Sequence, residues 1–412
     1  MKKLIFLPVF LFSINFSQIQ NLIEDSITYQ ISKQQLLIYQ NKLKAIKSLQ
    51  NGQIDISYQA IHFFTRPYTQ AYQAVAVVNN QLIYKKLNIN ASDTNHYIAQ
   101  IKYSYPIFDK TLSSSINYTK LQTIKANLAI KNTKRNLILQ SAKIYSQIYT
   151  LSEQIKALKI AKNALLISYK KAKALYKAGL INQANLELIN GKYYETLSKI
   201  NLYTAQKNEL LNNLSYLLNK KITNIGNLEF LFKPINILQR ADIKEIRQSL
   251  NISKANIQNA KASLYPKIAL NIAIKREADD ANLKTNNYEN LDKSYIAIGI
   301  DYNFNGQKKY NIQNAKIAHQ IDILFYKNYL NQVKTKINND KLILQSLYYQ
   351  LKAINKEILA KQAYYDNIKS KFNKGLVDSE KLNQALVKLT NAKIKKESIK
   401  AQIFLIKVEL SI

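Results

Sequence analysis

Two segments of this chain repeat one another 196 residues apart, and both sit between long helical patterns that contain no proline. The first reads Tyr176-Lys177-Ala178-Gly179-Leu180-Ile181, the second Phe372-Asn373-Lys374-Gly375-Leu376-Val377. Upstream of each lies a strand-like run that ends in an aromatic turn: Tyr105-Pro106-Ile107-Phe108-Asp109, then Tyr302-Asn303-Phe304-Asn305-Gly306. Phe108 and Phe304 are again 196 residues apart. A separation near half of a 412-residue chain signals a duplicated unit, not a solenoid. Each unit reads strand, very long helix, glycine turn, returning helix. Five prolines and seven glycines are far below ordinary usage, so most of the chain must lie in long elements.

The patterning gives those elements bounds. From about 110 to 175 there is neither Pro nor Gly, and Leu121, Ile124, Leu128, Leu137, Ile144, Ile148, Leu151, Ile155 and Leu158 recur at helical spacing. A helix of that length spans about 100 Å. It needs partner helices along its whole course. A second such helix is predicted from about 307 to 372, and shorter ones over 19–50, 184–219, 240–262 and from the second glycine turn to Ile412. Alternation of period two marks four strands, at 54–60, 97–105, 268–274 and 296–302. The Tyr-, Gln- and Asn-rich stretch to residue 94 reads as a loop, as does Glu277–Asp292 with Asp279-Asp280 and Asn286-Asn287. The strand faces do not keep parity at the 196-residue offset, so a one-residue slip is expected near the strands. The domain plan is a leader (1–17), a first structural repeat (18–219), a linker (220–239) and a second repeat (240–412).

Met1-Lys2-Lys3 followed by the apolar run Leu4 to Phe12 has the form of a secretory signal peptide, with cleavage expected after Ser17. The run is too short to span a membrane, and no later segment has 18 consecutive apolar residues. The formal charge of +34 comes from lysines scattered along helix faces, which reads as a solvated surface and not as a nucleic-acid footprint. Cysteine is absent, which excludes disulfides, thiolate metal sites, a cysteine nucleophile and a lipid anchor through Cys. His62, His96 and His319 have no metal spacing. Paired carboxylates, nucleophile elbows and phosphate loops are missing too, so no enzyme activity, catalytic residue, metal or cofactor is expected.

The strands are apolar on one face and small or polar on the other, as in transmembrane β-barrels. The expected lipid face comprises Ile101, Tyr103, Tyr105, Ile268, Leu270, Ile272, Ile296, Ile298 and Ile300. Four strands cannot close a barrel, and an open edge is not tolerated in lipid. Other copies must therefore complete it, and three copies would supply twelve strands.

The order of these signals resembles the outer-membrane efflux protein family, the TolC-like channel-tunnels. Three stretches carry the likeness. Arg240-Ala241-Asp242-Ile243, with Ala255, Ala260, Ala262 and Leu264-Tyr265-Pro266, is similar to that family's helix-into-strand segment. Ile298-Gly299-Ile300-Asp301-Tyr302-Asn303-Phe304-Asn305-Gly306 is similar to its strand ending in a Phe-Asp/Asn-Gly turn, and the two glycine turns to its hairpin tips. The resemblance implies a mainly α fold with a small β part: a long antiparallel α-helical barrel, plus a four-strand contribution to a trimeric twelve-stranded transmembrane β-barrel, with an internal two-fold repeat. It further implies a homotrimer in outer-membrane lipid that serves as the passive exit duct of small-molecule efflux or type I secretion. Its partners would be a periplasmic adaptor (membrane fusion) protein and an inner-membrane RND or ABC pump, with no nucleic acid.

The docking tips would be Gly179, Leu180, Ile181, Gly375, Leu376 and Val377. Where the family often carries acidic gate residues, this chain has Lys381 and Gln384, with Asn185 at the matching place in the first repeat and Asp378 and Glu380 nearby. A lysine ring would oppose cations and favour anions. The alternative reading is a secreted or periplasmic coiled-coil structural protein.

Overall fold

The computed structural model describes residues 14–65, 68–90, 95–278, 293–374 and 376–412. Residues 1–13 of the expected leader, Asp279-Asp280, Asn286-Asn287 and Gly375 lie outside these. The dearth of helix breakers has its expected result in seven helices among the described residues. They are α1 (Phe16–Leu22), α2 (Ile27–Ser48), α3 (Lys110–Lys177), α4 (Gln183–Leu218), α5 (Ala241–Ala262), α6 (Gln307–Asn373) and α7 (Ser379–Ser411). The two longest have 68 and 67 residues. They begin 197 residues apart and end 196 apart. Among the described residues no helix is long and apolar enough to cross a membrane.

The chain forms two compact units, and α2, α3, α5 and α6 each contribute to both. One unit, Ile38–Thr123 and Leu250–Asp322, holds the strands β1 (Gln53–His62), β2 (Tyr68–Val78), β3 (Gln81–Asn90), β4 (Asn95–Asp109), β5 (Lys267–Ala278) and β6 (Tyr295–Asp301). The four strands expected from alternation form one antiparallel sheet in the order β1-β4-β5-β6. Its register aligns Ile54, Tyr103, Ile272 and Ile296 in one cross-strand row and Tyr105, Leu270 and Ile298 in another. All nine expected lipid-face residues thus share one face of the sheet. The opposite face carries the row Gln53, Ser104, Asn271 and Ala297, where the Ser104 hydroxyl donates to Asn271 at 2.8 Å.

The expected one-residue slip is a β-bulge between Pro106 and Phe108. Ile107 is the extra residue, and beyond it Phe108 turns onto the apolar face beside Ile268. Phe108 thus shares a face with Tyr103 and Tyr105 although it is an odd number of residues from each. One expectation fails in this unit. The stretch before residue 94 is not an irregular loop but a paired ribbon, β2 with β3. Its turn residues Asn79 and Asn80 both take positive φ, 53° and 59°, as a two-residue hairpin requires. Asn-Asn is a weaker turn signal than Asn-Gly, and the interspersed glutamines hid the alternation.

The other unit, Met1–Leu37, Ile124–Ser249 and Ile323–Ile412, brings α1 and the end of α7 against the middle of α3. Ile14 bridges to Ile225, with Gly226 N–H donating to the Ile14 carbonyl at 2.9 Å. Phe16 is fully buried and meets the edges of Tyr145, Phe230 and Phe404 at ring distances of 5.6, 5.9 and 5.0 Å. Burying such a side chain is worth about 1.5–3 kcal/mol. Ile14 and Phe16 fall inside the expected leader, yet Phe16 is buried in this core and Ile14 packs against it. The Tyr145 hydroxyl donates to the Asn227 carbonyl at 3.0 Å, Ile235 N–H donates to Leu410, and the Arg135 guanidinium donates to the Ile412 carbonyl at 3.2 Å.

The same unit explains the Arg240-Ala241-Asp242-Ile243 motif. Arg240 grips Asp242 through two bonds, of 2.8 and 3.2 Å, with both side chains buried. The Tyr329 hydroxyl donates to the same carboxylate at 3.1 Å, and Arg135 stands 3.6 Å from it. Burial by itself would raise the Asp242 pKa. The Arg240 hydrogen bonds, the charges of Arg135 and Arg240 and the Ile243 N–H outweigh it and hold the pKa below the usual carboxylate value. The folded pKa being lower than the unfolded one, this stabilisation is present above the ordinary carboxylate range and is lost as pH falls through the depressed folded value. Asp242→Asn leaves the buried Arg240 guanidinium without its anionic partner and should cost about 3–5 kcal/mol at neutral pH. Urea titrations at neutral and acid pH check this: the gap between wild type and variant should shrink on acidification.

Candidate functional site

The two glycine turns are built alike. At the first, α3 ends when Gly179 takes φ 72°, a conformation that costs a glycine nothing. Leu180 N–H then donates to the Leu175 carbonyl at 2.9 Å and Gly179 N–H to Tyr176 at 3.0 Å. These are the paired bonds of a Schellman cap. At the second turn Leu376 N–H donates to Lys371, also at 2.9 Å. Three residues after each glycine a side chain caps the returning helix. Asn182 accepts from the Asn185 N–H at 3.0 Å, and Asp378 accepts from the Lys381 N–H at 2.8 Å.

Each tip has its own small core. Ala172, Leu186 and Ile189 form the first, with Ile181 packed against them; Ile368, Phe372, Leu382 and Ala385 form the second, with Val377 against them. Ile181 and Val377 are thereby spent on their own hairpins. Leu180 and Leu376 are left 70% and 69% exposed. The tips share a groove of about 520 Å³ that Leu180, Asn185, Leu376, Asp378 and Glu380 help to line. Lys171 joins the hairpins across it: its ammonium donates to the Phe372 carbonyl at 3.0 Å and lies 4.3 Å from the centre of the Phe372 ring.

Among the expected gate residues, Asn185, Asp378 and Glu380 line the groove. Lys381 and Gln384 are exposed on the first turns of α7 and do not line it. Glu380 accepts a bond from Gln384 at 3.1 Å. Lys171 and Asn182 were not singled out in the sequence. Asn182 could have been, because it stands 196 residues before Asp378. Lys171 could not, since its partner is on the other hairpin. The expected lipid face lies in the strand-bearing unit, where Ile296, Ile298 and Ile300 on the terminal strand are 74, 67 and 70% exposed.

No family model matches the chain. Over 296 residues it is 23% identical to the cation efflux system protein CusC of Escherichia coli strain K12, a match covering 70% of this chain and 60% of that protein. Over 311 residues it is 23% identical to the probable outer membrane lipoprotein SilC of Salmonella typhimurium, covering 74% of this chain and 62% of the relative. The chain thus matches less than two thirds of the length of these curated relatives. Its fold superposes on the Campylobacter jejuni CmeC outer membrane channel with a TM-score of 0.77, over 99% of this chain and 89% of that one, at 15% identity. The fold is that of the TolC-like channel-tunnels, as the motifs implied.

The tips separate residues that stabilise from residues that are merely displayed. Phe372→Ala should cost about 3–5 kcal/mol, while Leu376→Ala should stay within about 0.5 kcal/mol of wild type. Equal unfolding midpoints for the two variants in urea would contradict the assignment.

Proposed function

We propose that three copies of this chain form the passive outer-membrane exit duct of a tripartite export system, joined at its helical tips to a periplasmic adaptor and through that to an inner-membrane RND or ABC pump. The sheet carries this reading. It has a continuous apolar face and, among the described residues, two unpaired edges, β1 and β6. Lipid offers no partner for unpaired backbone groups, so such a sheet is stable there only when closed. Joining β6 of one copy to β1 of the next closes a twelve-stranded ring. The hairpins α3–α4 and α6–α7 of three copies supply twelve helices for the tunnel below. The names of the relatives agree: CusC belongs to a cation efflux system, SilC is a probable outer membrane lipoprotein and CmeC is an outer membrane channel, and none is named as an enzyme.

The leader takes the chain across the inner membrane. Cleavage after Ser17 would strip Ile14 and Phe16 from the core, and their packing supports a leader that ends upstream of Ile14. At the other extreme Leu180 and Leu376 are free to meet the adaptor, and Asn185, Asp378, Glu380, Lys381 and Gln384 surround the closed aperture. Opening that parts the hairpins must break the Lys171 link to Phe372.

Native mass spectrometry of protein extracted from fractionated outer membranes tests the duct and the leader together. A trimer whose chains begin at or before Ile14 is expected. A soluble monomer would sink the duct, and chains beginning at Gln18 would sink the leader boundary alone. Changing Leu180 and Leu376 together to Asp should leave the trimer intact and abolish its co-purification with a cross-linked adaptor; undiminished recovery would remove the tips from the interface.

A further inference from the structure

The β2–β3 ribbon is absorbed by neither the sheet nor the tips. It pairs from Tyr68 opposite Asn90 to Val78 opposite Gln81, interrupted by a bulge at Val75, and neither strand packs extensively on any other described element. A two-stranded ribbon alone in water is marginally stable at best. Its distal half is also apolar on both faces. Val75, Val77, Val78, Leu82, Ile83 and Tyr84 are all between 46 and 65% exposed, and no residue from Ala74 to Tyr84 is charged. Native proteins guard exposed edges with lysine, proline or a covering element. Here the ribbon's only charges, Lys85 and Lys86, are in the proximal half, opposite Gln73 and Tyr72.

We propose that the distal halves of these ribbons pack against one another between neighbouring copies of the chain. This rests on the trimeric duct proposed above. The ribbon is inserted between β1 and β4, and β1 is the edge that the next copy must close. The ribbon therefore continues an interface between copies, and three-fold symmetry repeats the same apolar surface around one axis. Contact between distal halves buries neutral side chains only and keeps the lysines apart. Tyr68 to Asn90 contains no acidic residue that would select a cationic partner instead.

The chain has no cysteine, so single-cysteine variants report without background. Val77→Cys, Leu82→Cys and, in the proximal half, Lys85→Cys would each be treated with a short bismaleimide in isolated outer membranes. Linked dimers and trimers on a denaturing gel are expected for the first two and not for the third. In parallel, a bulky water-soluble maleimide should label Val77→Cys at least tenfold more slowly than Lys85→Cys in the assembled protein. Unlinked Val77→Cys and Leu82→Cys chains in a preparation whose native mass is trimeric would overturn the ribbon contact and leave the duct standing. So would equal labelling rates, which would mark a surface free for lipid or for another protein. Loss of the trimer from the wild-type preparation would overturn the duct itself.

Discussion

A backbone N–H or C=O removed from water must find a partner, and in lipid the cost of failing is several kcal/mol per group. The rest of this structure depends on that constraint. Among the described residues the four-stranded sheet pairs β4 and β5 along most of their shared length and leaves β1 and β6 each with one open edge. Apolar rows such as Ile54, Tyr103, Ile272 and Ile296 favour lipid on one face. Neither property can be realised by a single copy without the other becoming a liability. The proposed repetition by three copies removes both liabilities at once. A helix of roughly 100 Å has no stability of its own at that length and persists only where neighbours cover its apolar stripe. In the second hairpin Leu347 and Ile354 of α6 meet Ala392, Ile399 and Ile403 of α7, which is the part of that cover one chain can provide for itself.

Much of the fold was legible because its governing signals are local. Absence of Pro and Gly over more than 60 residues leaves few alternatives to helix, and period-two alternation placed all four sheet strands. The parity slip was legible as a necessity and became a bulge at Ile107 once the register was known. The ribbon was missed because its turn uses Asn79-Asn80 without glycine and its strands mix glutamine with valine. The burial of Phe16 was hidden for a different reason. Phe16 follows closely on the apolar run that reads as a leader, and hydrophobicity alone does not show that Tyr145, Phe230 and Phe404 will enclose it. Burial of Arg240 with Asp242 was similarly invisible, because a charged pair two residues apart says nothing about Arg135 and Tyr329, more than 80 residues away in sequence.

Gene duplication gave the two hairpins the same caps and the same glycine offset, but the site between them required that they diverge. Lys171 corresponds by the 196-residue offset to Asn367, and Phe372 to Tyr176. The cation is thus on the first hairpin alone, while both hairpins keep a ring. Phe372 is 8% exposed beneath Lys171, whereas Tyr176 in the equivalent position is 40% exposed. The link therefore runs one way, from the first hairpin to the second, because Asn367 offers Tyr176 no cation. It ties the packing of the second tip to a side chain of the first. Leu180 and Leu376 help to line the groove and remain exposed.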